Sequence, residues 1–358
     1  MGFMSGKALG KTGLGYNIGP YRFEHGLSLA PMAGNTNLAY RRLCRKFGAE
    51  LTTTEMVSSQ ALHFNDEKSL GYLEKGHEEL PVAAQIFGAK PEILASAAQK
   101  VAAKGFHILD LNVGCPVPKI TGCGGGSALL REPELAADCI QAMVEAVDIP
   151  VTVKIRAGWA DDDKCAPSFA ARMAEAGAMA VTVHGRTREQ KYQGHADLDL
   201  IRRVAEAVEI PVIGNGDVTD IQSAQAMADT GVDGIAIGRG ALGQPWIFRD
   251  LHAYFRGDEL PPSPTLEQRA QLLLELGKGV AELYGEHRGM RIMRRLASDF
   301  FRGLPGAPRM RQASNRLETL ADLEQLATGI RRPGGTDPSL PSPDASLPNP
   351  SHAPSSAE

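Results

Sequence analysis

Short apolar runs alternate with stretches of helical spacing through the first 255 residues, and that alternation limits the fold more than any other feature of the chain. The strand candidates are GLSLAP (26–31), ELTTTE (50–55), PVAAQIF (81–87), HILDLN (107–112), PVTVKI (150–155), MAVTVH (179–184), IPVIGN (210–215) and GIAIG (234–238). Ala-rich segments at 91–104, 133–147, 167–177, 198–208 and 220–230 carry the helical pattern between them. Several of the runs are apolar almost throughout, as strands covered on both faces are. The later ones recur at the length of a βα unit. Eight strands, each followed by a helix, predict an α/β fold, a (β/α)8 TIM barrel over 18–257, with an open doubly wound sheet as the alternative.

After the Pro-rich break DELPPSPT (258–265), residues 266–330 keep helical spacing without strands, which predicts a small C-terminal helical domain. Residues 1–17 form an expected N-terminal extension. Residues 331–358 are rich in Pro and Ser with almost no large apolar side chains, too few to offset ordering entropy, and are expected to be disordered. No apolar run approaches the ~20 residues of a membrane span, and the N-terminus lacks a signal-peptide core. Five cysteines at irregular spacings fit a reducing compartment and contain no zinc-ligand cluster. A cytoplasmic protein without membrane contact or metal, and a monomer, is expected.

In a barrel of this kind function sits at the C-terminal strand ends. The polar residues collect there: APMAGNTN (30–37), Gln85, Asn112 and Cys115, Lys154 and Arg156, HGRT (184–187), NGD (215–217) and GRG (238–240). Cys115 stands between Gly114 and Pro116, on a turn that leaves an apolar strand. Lys154 lies within a strand, where a lysine is seldom buried without a partner. It reads either as half of an ion pair or as a cation facing an anionic cofactor or intermediate. GRGALG (238–243) matches G-x-G-x-x-G, but no second strand ending in an acidic residue follows, so a dinucleotide fingerprint is disfavoured. Free backbone N–H groups in GNGDV and GRGALG suit a single phosphate, such as that of FMN.

The motifs APMAGNTN, TTEMVSS, LNVGCPVPKI…GSALL, VTVKIRAGW, VTVHGRTREQKYQGHADL, PVIGNGDV and IGRGALGQPWIF together resemble those of the tRNA-dihydrouridine synthases, B-type bacterial branch. The resemblance is strong over 18–255 and looser through YGEHRGMRIMRR. It implies an FMN enzyme that reduces uridine to 5,6-dihydrouridine in the D-loop of tRNA, using NADPH or NADH, with a helical tRNA-binding domain. It makes Cys115 the catalytic proton donor. It places FMN against Pro31, Met32, Ala33, Gln85, Lys154, His184, Asn215, Gly216, Asp217, Gly238 and Arg239. Asn112 and Arg186 are assigned to the substrate. The chain departs from the family at 121–126, TGCGGG, where relatives tend to carry basic residues; that segment is expected to be a mobile lid.

The chemistry asks for such residues. Reducing the C5=C6 bond takes a hydride at C6 and a proton at C5, and a thiol of ordinary pKa about 8.5 is protonated at neutral pH. The formal net charge of −4 hides a local excess: residues 288–316 hold eight arginines and a single acid, Asp299. Arg291, Arg294 and Arg295 fall at i, i+3 and i+4 on one helical face, a phosphate-contacting pattern, while Phe300 and Phe301 read as helix core. Two other readings stand beside this one: a flavin barrel oxidoreductase acting on a free pyrimidine, which needs no arginine-rich appendage, and a non-catalytic tRNA-binding protein, which needs no intact Cys115, Lys154 and His184.

Overall fold

A computed structural model of the chain describes residues 13–331; the first part of the expected extension and the expected disordered tail from residue 332 lie outside them. The described chain divides between Ser263 and Pro264 into two compact units. In the first, eight parallel strands close on themselves. In chain order the strands are β1 (Tyr16–Ile18), β2 (Tyr21–Phe23), β3 (Leu27–Leu29), β4 (Leu51–Thr53), β5 (Val57–Ser58), β6 (Val82–Phe87), β7 (Ile108–Val113), β8 (Val151–Arg156), β9 (Val181–His184), β10 (Val212–Asn215) and β11 (Gly234–Ile237). Hydrogen bonding runs β4–β3–β11–β10–β9–β8–β7–β6, and the pairing of β4 with β6 closes the ring, with β5 added beside β6. The barrel expected from the alternation is present, and the open doubly wound sheet is not.

The apolar runs become strands because both of their faces are covered, one by the helices and one by the barrel interior. Helices Pro91–Ala103 and Pro133–Ala146 begin with proline, and Leu198–Ala207 and Ile221–Ala228 are capped by Asp197 and Asp220. β1 and β2, which the alternation did not announce, form an antiparallel hairpin whose Tyr16, Ile18 and Phe23 pack with Ala30, Leu51, Ala83, Ile108, Ala180, Ile213 and Ala236. Tyr16 and Asn17 therefore belong to the barrel unit and not to an extension. A water-sized cavity of about 30 Å³ lies between this apolar plug and Lys154.

One buried ion pair ties the loops around β4. Arg41 Nε donates to Glu79 Oε1 at 2.8 Å and Nη2 to Oε2 at 3.0 Å, with both side chains almost inaccessible. Arg41 also donates to Thr36 O and Glu74 O, while Glu79 accepts from Thr52 Oγ1 and Gly76 N. No polar atom of the pair needs water, so neither partner can be removed cheaply.

The second unit is four helices, Leu266–Tyr284, Glu286–Asp299, Ala307–Ser314 and Leu320–Arg331. Thr265 and Gln268 form a capping box at its start. Gly289 lets two helices meet closely, since a Cβ there would stand 2.9 Å from Ala281 Cα. Phe300 and Phe301 are fully buried, as the helical spacing predicted. Among the described residues no helix is long and apolar enough to cross a membrane.

Glu79→Gln should lower unfolding stability by about 3–5 kcal/mol, because it strands the Arg41 charge. In urea titrations Arg41→Met combined with Glu79→Gln should lose less than the sum of the two single losses; additive losses would show that the pair is not coupled.

Candidate active site

Strand register places the expected polar residues on one inner surface. Gln85 of β6 lies beside Asp110 of β7, which lies beside Thr152 of β8. Two residues further along each strand, on the same face, Asn112 pairs with Lys154 and Lys154 with Thr182. One step higher, Arg156 pairs with His184 and His184 with Asn215. The barrel interior thus turns from apolar at the plug to polar at the mouth.

Cys115 caps this surface on a turn held from three sides. Asn112 Oδ1 accepts the N–H groups of Gly114 and Cys115 at 3.1 and 2.9 Å. Arg156 Nε donates to Gly114 O at 2.6 Å, and both Ser127 N and Ser127 Oγ donate to Cys115 O at 3.0 Å. Gly126 makes the last contact possible: its φ is +60°, and a Cβ there would meet Cys115 O at 2.7 Å. The glycine run expected as a lid therefore folds, at Gly126 and Ser127, against the cysteine turn. Burial raises the Cys115 pKa, against the lowering effects of the Val117 amide and the Arg156 charge. The sulfur is held as a thiol.

Positive charge dominates the rest of the mouth. Burial is the main cause that pulls Lys154 down to about 8, with Arg156 adding repulsion and Asp110 opposing it. His184 is pushed well below the usual histidine value, first by burial and then by Lys154, Arg156, Arg186 and Arg239. It is neutral at pH 7. Asn215 Nδ2 donates to Ala236 O at 2.7 Å and is buried. Pro31, Met32 and Ala33 sit in the loop after β3, partly or fully exposed. Gly238 opens the loop after β11, where a Cβ would lie 3.6 Å from Met32 Sδ. The neighbouring Arg239 side chain is 53% exposed.

A family model described as dihydrouridine synthase matches residues 28–331. The chain belongs to the dihydrouridine synthase family. It is 43% identical over 317 residues to tRNA-dihydrouridine synthase B of Pseudomonas aeruginosa, covering 88% of this chain and 94% of that one. It is 41% identical over 311 residues to tRNA-dihydrouridine synthase B of Shewanella oneidensis, covering 86% and 96%. Among solved structures, morphinone reductase in complex with tetrahydroNAD aligns with a TM-score of 0.49 at 15% identity, over 71% of this chain and 93% of that one.

Three expected contacts take a different form. Arg186, assigned to the substrate, is 2% exposed, and its guanidinium is committed to protein. Nη1 and Nη2 bind both carboxylate oxygens of Asp217 at 2.8 and 2.7 Å, and further bonds reach Gln193 O and Gly194 O. It shapes the mouth and has no free fork for substrate. Asp217, assigned to the cofactor, is the other half of that brace; it also accepts from Ala196 N and lies 3.4 Å from Arg239. Gly216 supports the same turn, with φ +128° and no room for a Cβ beside Ala196. In the helical unit Arg291 and Arg295 are exposed, but Arg294 is half-buried and donates to Leu317 O at 2.9 Å.

Sequence reasoning missed three residues at or just below the mouth. Asp110 reads as one polar position in an apolar strand, yet it is buried and bonded to Gln85 Nε2 and Thr152 Oγ1, both at 2.7 Å. Tyr192, 58% exposed, has the guanidinium groups of both Arg156 and Arg239 over its ring, at 5.7 and 5.0 Å. Trp159 has those of Arg131 and Arg188 over its ring, at 5.1 and 4.5 Å. Arg156 itself was visible only as a strand-end cation; its three carbonyl bonds, to Gly114, Thr187 and Lys191, need the fold.

Cys123 is exposed and Cys115 buried, so iodoacetamide at pH 7.5 should modify Cys123 first. Peptide mass mapping over time checks this, and faster labelling of Cys115 would mean that its thiol is not shielded in the fold.

Proposed function

We propose that this protein reduces uridine in tRNA to 5,6-dihydrouridine in the cytoplasm, as a monomer, with FMN as its flavin and NADPH as electron donor, and that Cys115 is the acid of the reaction. Family membership supports the activity, and the pinned, protonated thiol at the mouth of a cation-lined barrel carries the assignment of the acid.

The residues present suit a flavin. The mouth holds four cations, Lys154, Arg156, Arg186 and Arg239, against two nearby carboxylates: Asp217, which Arg186 already engages, and Asp110, which acts on Lys154 from the row below. Such a surplus favours an anionic ring edge and a phosphate. Bound there, the flavin supplies the hydride for C6. Lys154 would hold the edge of the ring system where negative charge collects. Neutral His184 can donate one N–H without adding charge. Gln85, Asn215 and the backbone of Pro31–Ala33 would border the ring system, and Gly216, Gly238 and Arg239 would hold the phosphate.

Cys115 holds the proton that C5 must receive. Its raised pKa is the useful direction, since an acid that kept no proton at neutral pH could not deliver one. The turn fixes the backbone that carries the sulfur, and the neighbouring Arg156 would stabilise the thiolate left behind. Asn112 orients the turn and would orient the base beside it. The base must leave its stack to reach this surface. Arg291 and Arg295, exposed on the helix Glu286–Asp299, together with Arg288, Arg311 and Arg316, supply phosphate contacts for an RNA that an acidic chain would otherwise repel. A free pyrimidine would need no such surface.

Cys115→Ala should retain flavin and tRNA binding yet lower dihydrouridine formation about 100-fold or more. Mass mapping of tRNA from a strain lacking its own synthases measures this, and wild-type levels would refute the acid assignment. Reversing charge at Arg291 and Arg295 should weaken tRNA binding and flatten its salt dependence; an unchanged slope in salt titrations would place the RNA elsewhere. Lys154 gives a third test. Its folded pKa is depressed to about 8, so at pH 8 it is half charged and at pH 6 fully charged. An anionic ligand raises that pKa. Binding of reduced flavin to the apoprotein should therefore take up as much as about half a proton on Lys154 at pH 8. Calorimetry in buffers of different ionisation enthalpy reads the uptake, and proton release at pH 8 would contradict the placement.

A further inference from the structure

We propose that Asp110 is a positioning residue for this reaction: its carboxylate sets the direction of a chain of side-chain hydrogen bonds that ends on the backbone of Cys115. The proposal rests on the reading of Cys115 as the acid. It concerns a residue in the same row as Gln85 and one row below Asn112 that is not itself assigned to flavin or uracil.

The chain runs without a break. Thr152 Oγ1 donates to Asp110 Oδ1 at 2.7 Å, and Gln85 Nε2 donates to Asp110 Oδ2 at 2.7 Å. Asn112 Nδ2 donates to Gln85 Oε1 at 2.8 Å. Asn112 Oδ1 then accepts the amides of Gly114 and Cys115. All four side chains are buried.

Direction is the important property. Each amide group in the chain has a donor end and an acceptor end of nearly equal size and could be turned either way. A carboxylate can only accept. With Asp110 ionised, Gln85 must aim its NH2 downward and its oxygen upward. Asn112 must then give its NH2 to Gln85 and aim its oxygen at the turn, which offers only N–H groups. One fixed acceptor at the bottom thus orients two reversible amides and delivers an acceptor to the cysteine turn at the top. Lys154, beside Asn112 in the register, favours the ionised carboxylate against the burial that opposes it.

Asp110 is also a costly choice for mere filling. The same inner face carries Ala83 and Ile108 just below it, and a charge buried there is tolerated only with partners. Gln85 and Asn112 are the residues assigned to flavin and base, so losing the direction would misplace both of them along with the thiol.

Asp110→Asn keeps the shape but allows the group to donate, which removes the direction. In the flavin-free protein the amides of Gly114 and Cys115 should exchange hydrogen at least about tenfold faster, with protection elsewhere in the barrel unchanged. In the flavin-loaded enzyme kcat for dihydrouridine formation should fall about 10- to 100-fold with KM for tRNA within about twofold. Asn112→Ala should also lower kcat, and adding Asp110→Asn to it should cost nothing more, because the chain is already cut. Unchanged exchange at Gly114 and Cys115, wild-type kcat, or additive losses would each overturn the proposal. If Asp110→Asn does not fold, Thr152→Val removes one of the two bonds that hold the carboxylate and is read in the same way, with a smaller effect expected on both measurements. Should the wild-type enzyme form no dihydrouridine, the reading of the reaction fails, while the exchange measurement still decides whether Asp110 governs the turn.

Discussion

Closure of eight parallel strands is the constraint from which the rest follows. Once β4 pairs with β6, every second side chain of each strand enters one shared interior, and the tilt of the strands sets those side chains in rows. The lower rows are small or apolar and receive Tyr16, Ile18 and Phe23 from the hairpin. The upper rows are Gln85–Asp110–Thr152, Asn112–Lys154–Thr182 and Arg156–His184–Asn215. A one-residue slip of any strand would exchange its polar and apolar sets. Burial of Ala83, Ile108 and Ile213 against the plug therefore also fixes the heights of Gln85, Asn112 and Asn215. Packing energy at one end of the barrel is what makes geometry reproducible at the other.

That geometry is electrostatically unfinished. The brace of Arg186 and Asp217 is complete, and Arg156 spends its hydrogen bonds on carbonyls that carry only partial charge. Lys154 and Arg239 keep charge that the protein does not fully neutralise. Burial first, and then this imbalance, depresses Lys154 and His184, so both mark a place where one more positive charge is unwelcome and a negative one would be stabilised. Two opposed effects act on the thiol of Cys115. Burial favours its protonated form, and Arg156 lowers the cost of the thiolate.

How much of this could be read from the sequence depended on the range of the interaction. The eight main strands were legible because both of their faces are buried and their apolar runs are local signals. The hairpin was not, because three-residue strands carry too little pattern and its purpose lies in residues up to 236. Cys115, Lys154 and His184 were legible as strand-end residues and as members of ordered motifs. Arg186 was legible as a functional type, but whether a guanidinium meets substrate or backbone depends on Gln193, Gly194 and Asp217, which only the folded loops bring to it. Arg294 shows the same effect on a helix: the i, i+3, i+4 spacing placed it on one face with Arg291 and Arg295, and contact with Leu317 removed it from the exposed set. Asp110 was invisible for the converse reason, since alternation along β7 marks it as inward-facing but cannot say that inward means Gln85 and Thr152.

At the end of the 121–126 segment glycine serves close contact as well as freedom. Six residues with four glycines read as freedom, and in an isolated chain they would be free. Here the absence of side chains permits a closer approach than any other residue could make. At Gly126 a Cβ would strike the Cys115 carbonyl, so the left-handed turn that only glycine accepts cheaply lets Ser127 bring two donors onto that oxygen. The entropy lost in fixing the glycines is offset by a backbone contact that immobilises the cysteine from the side opposite Asn112. Any larger residue at 126 would push the Ser127 donors away and leave the backbone of the cysteine turn held by Asn112 and Arg156 alone.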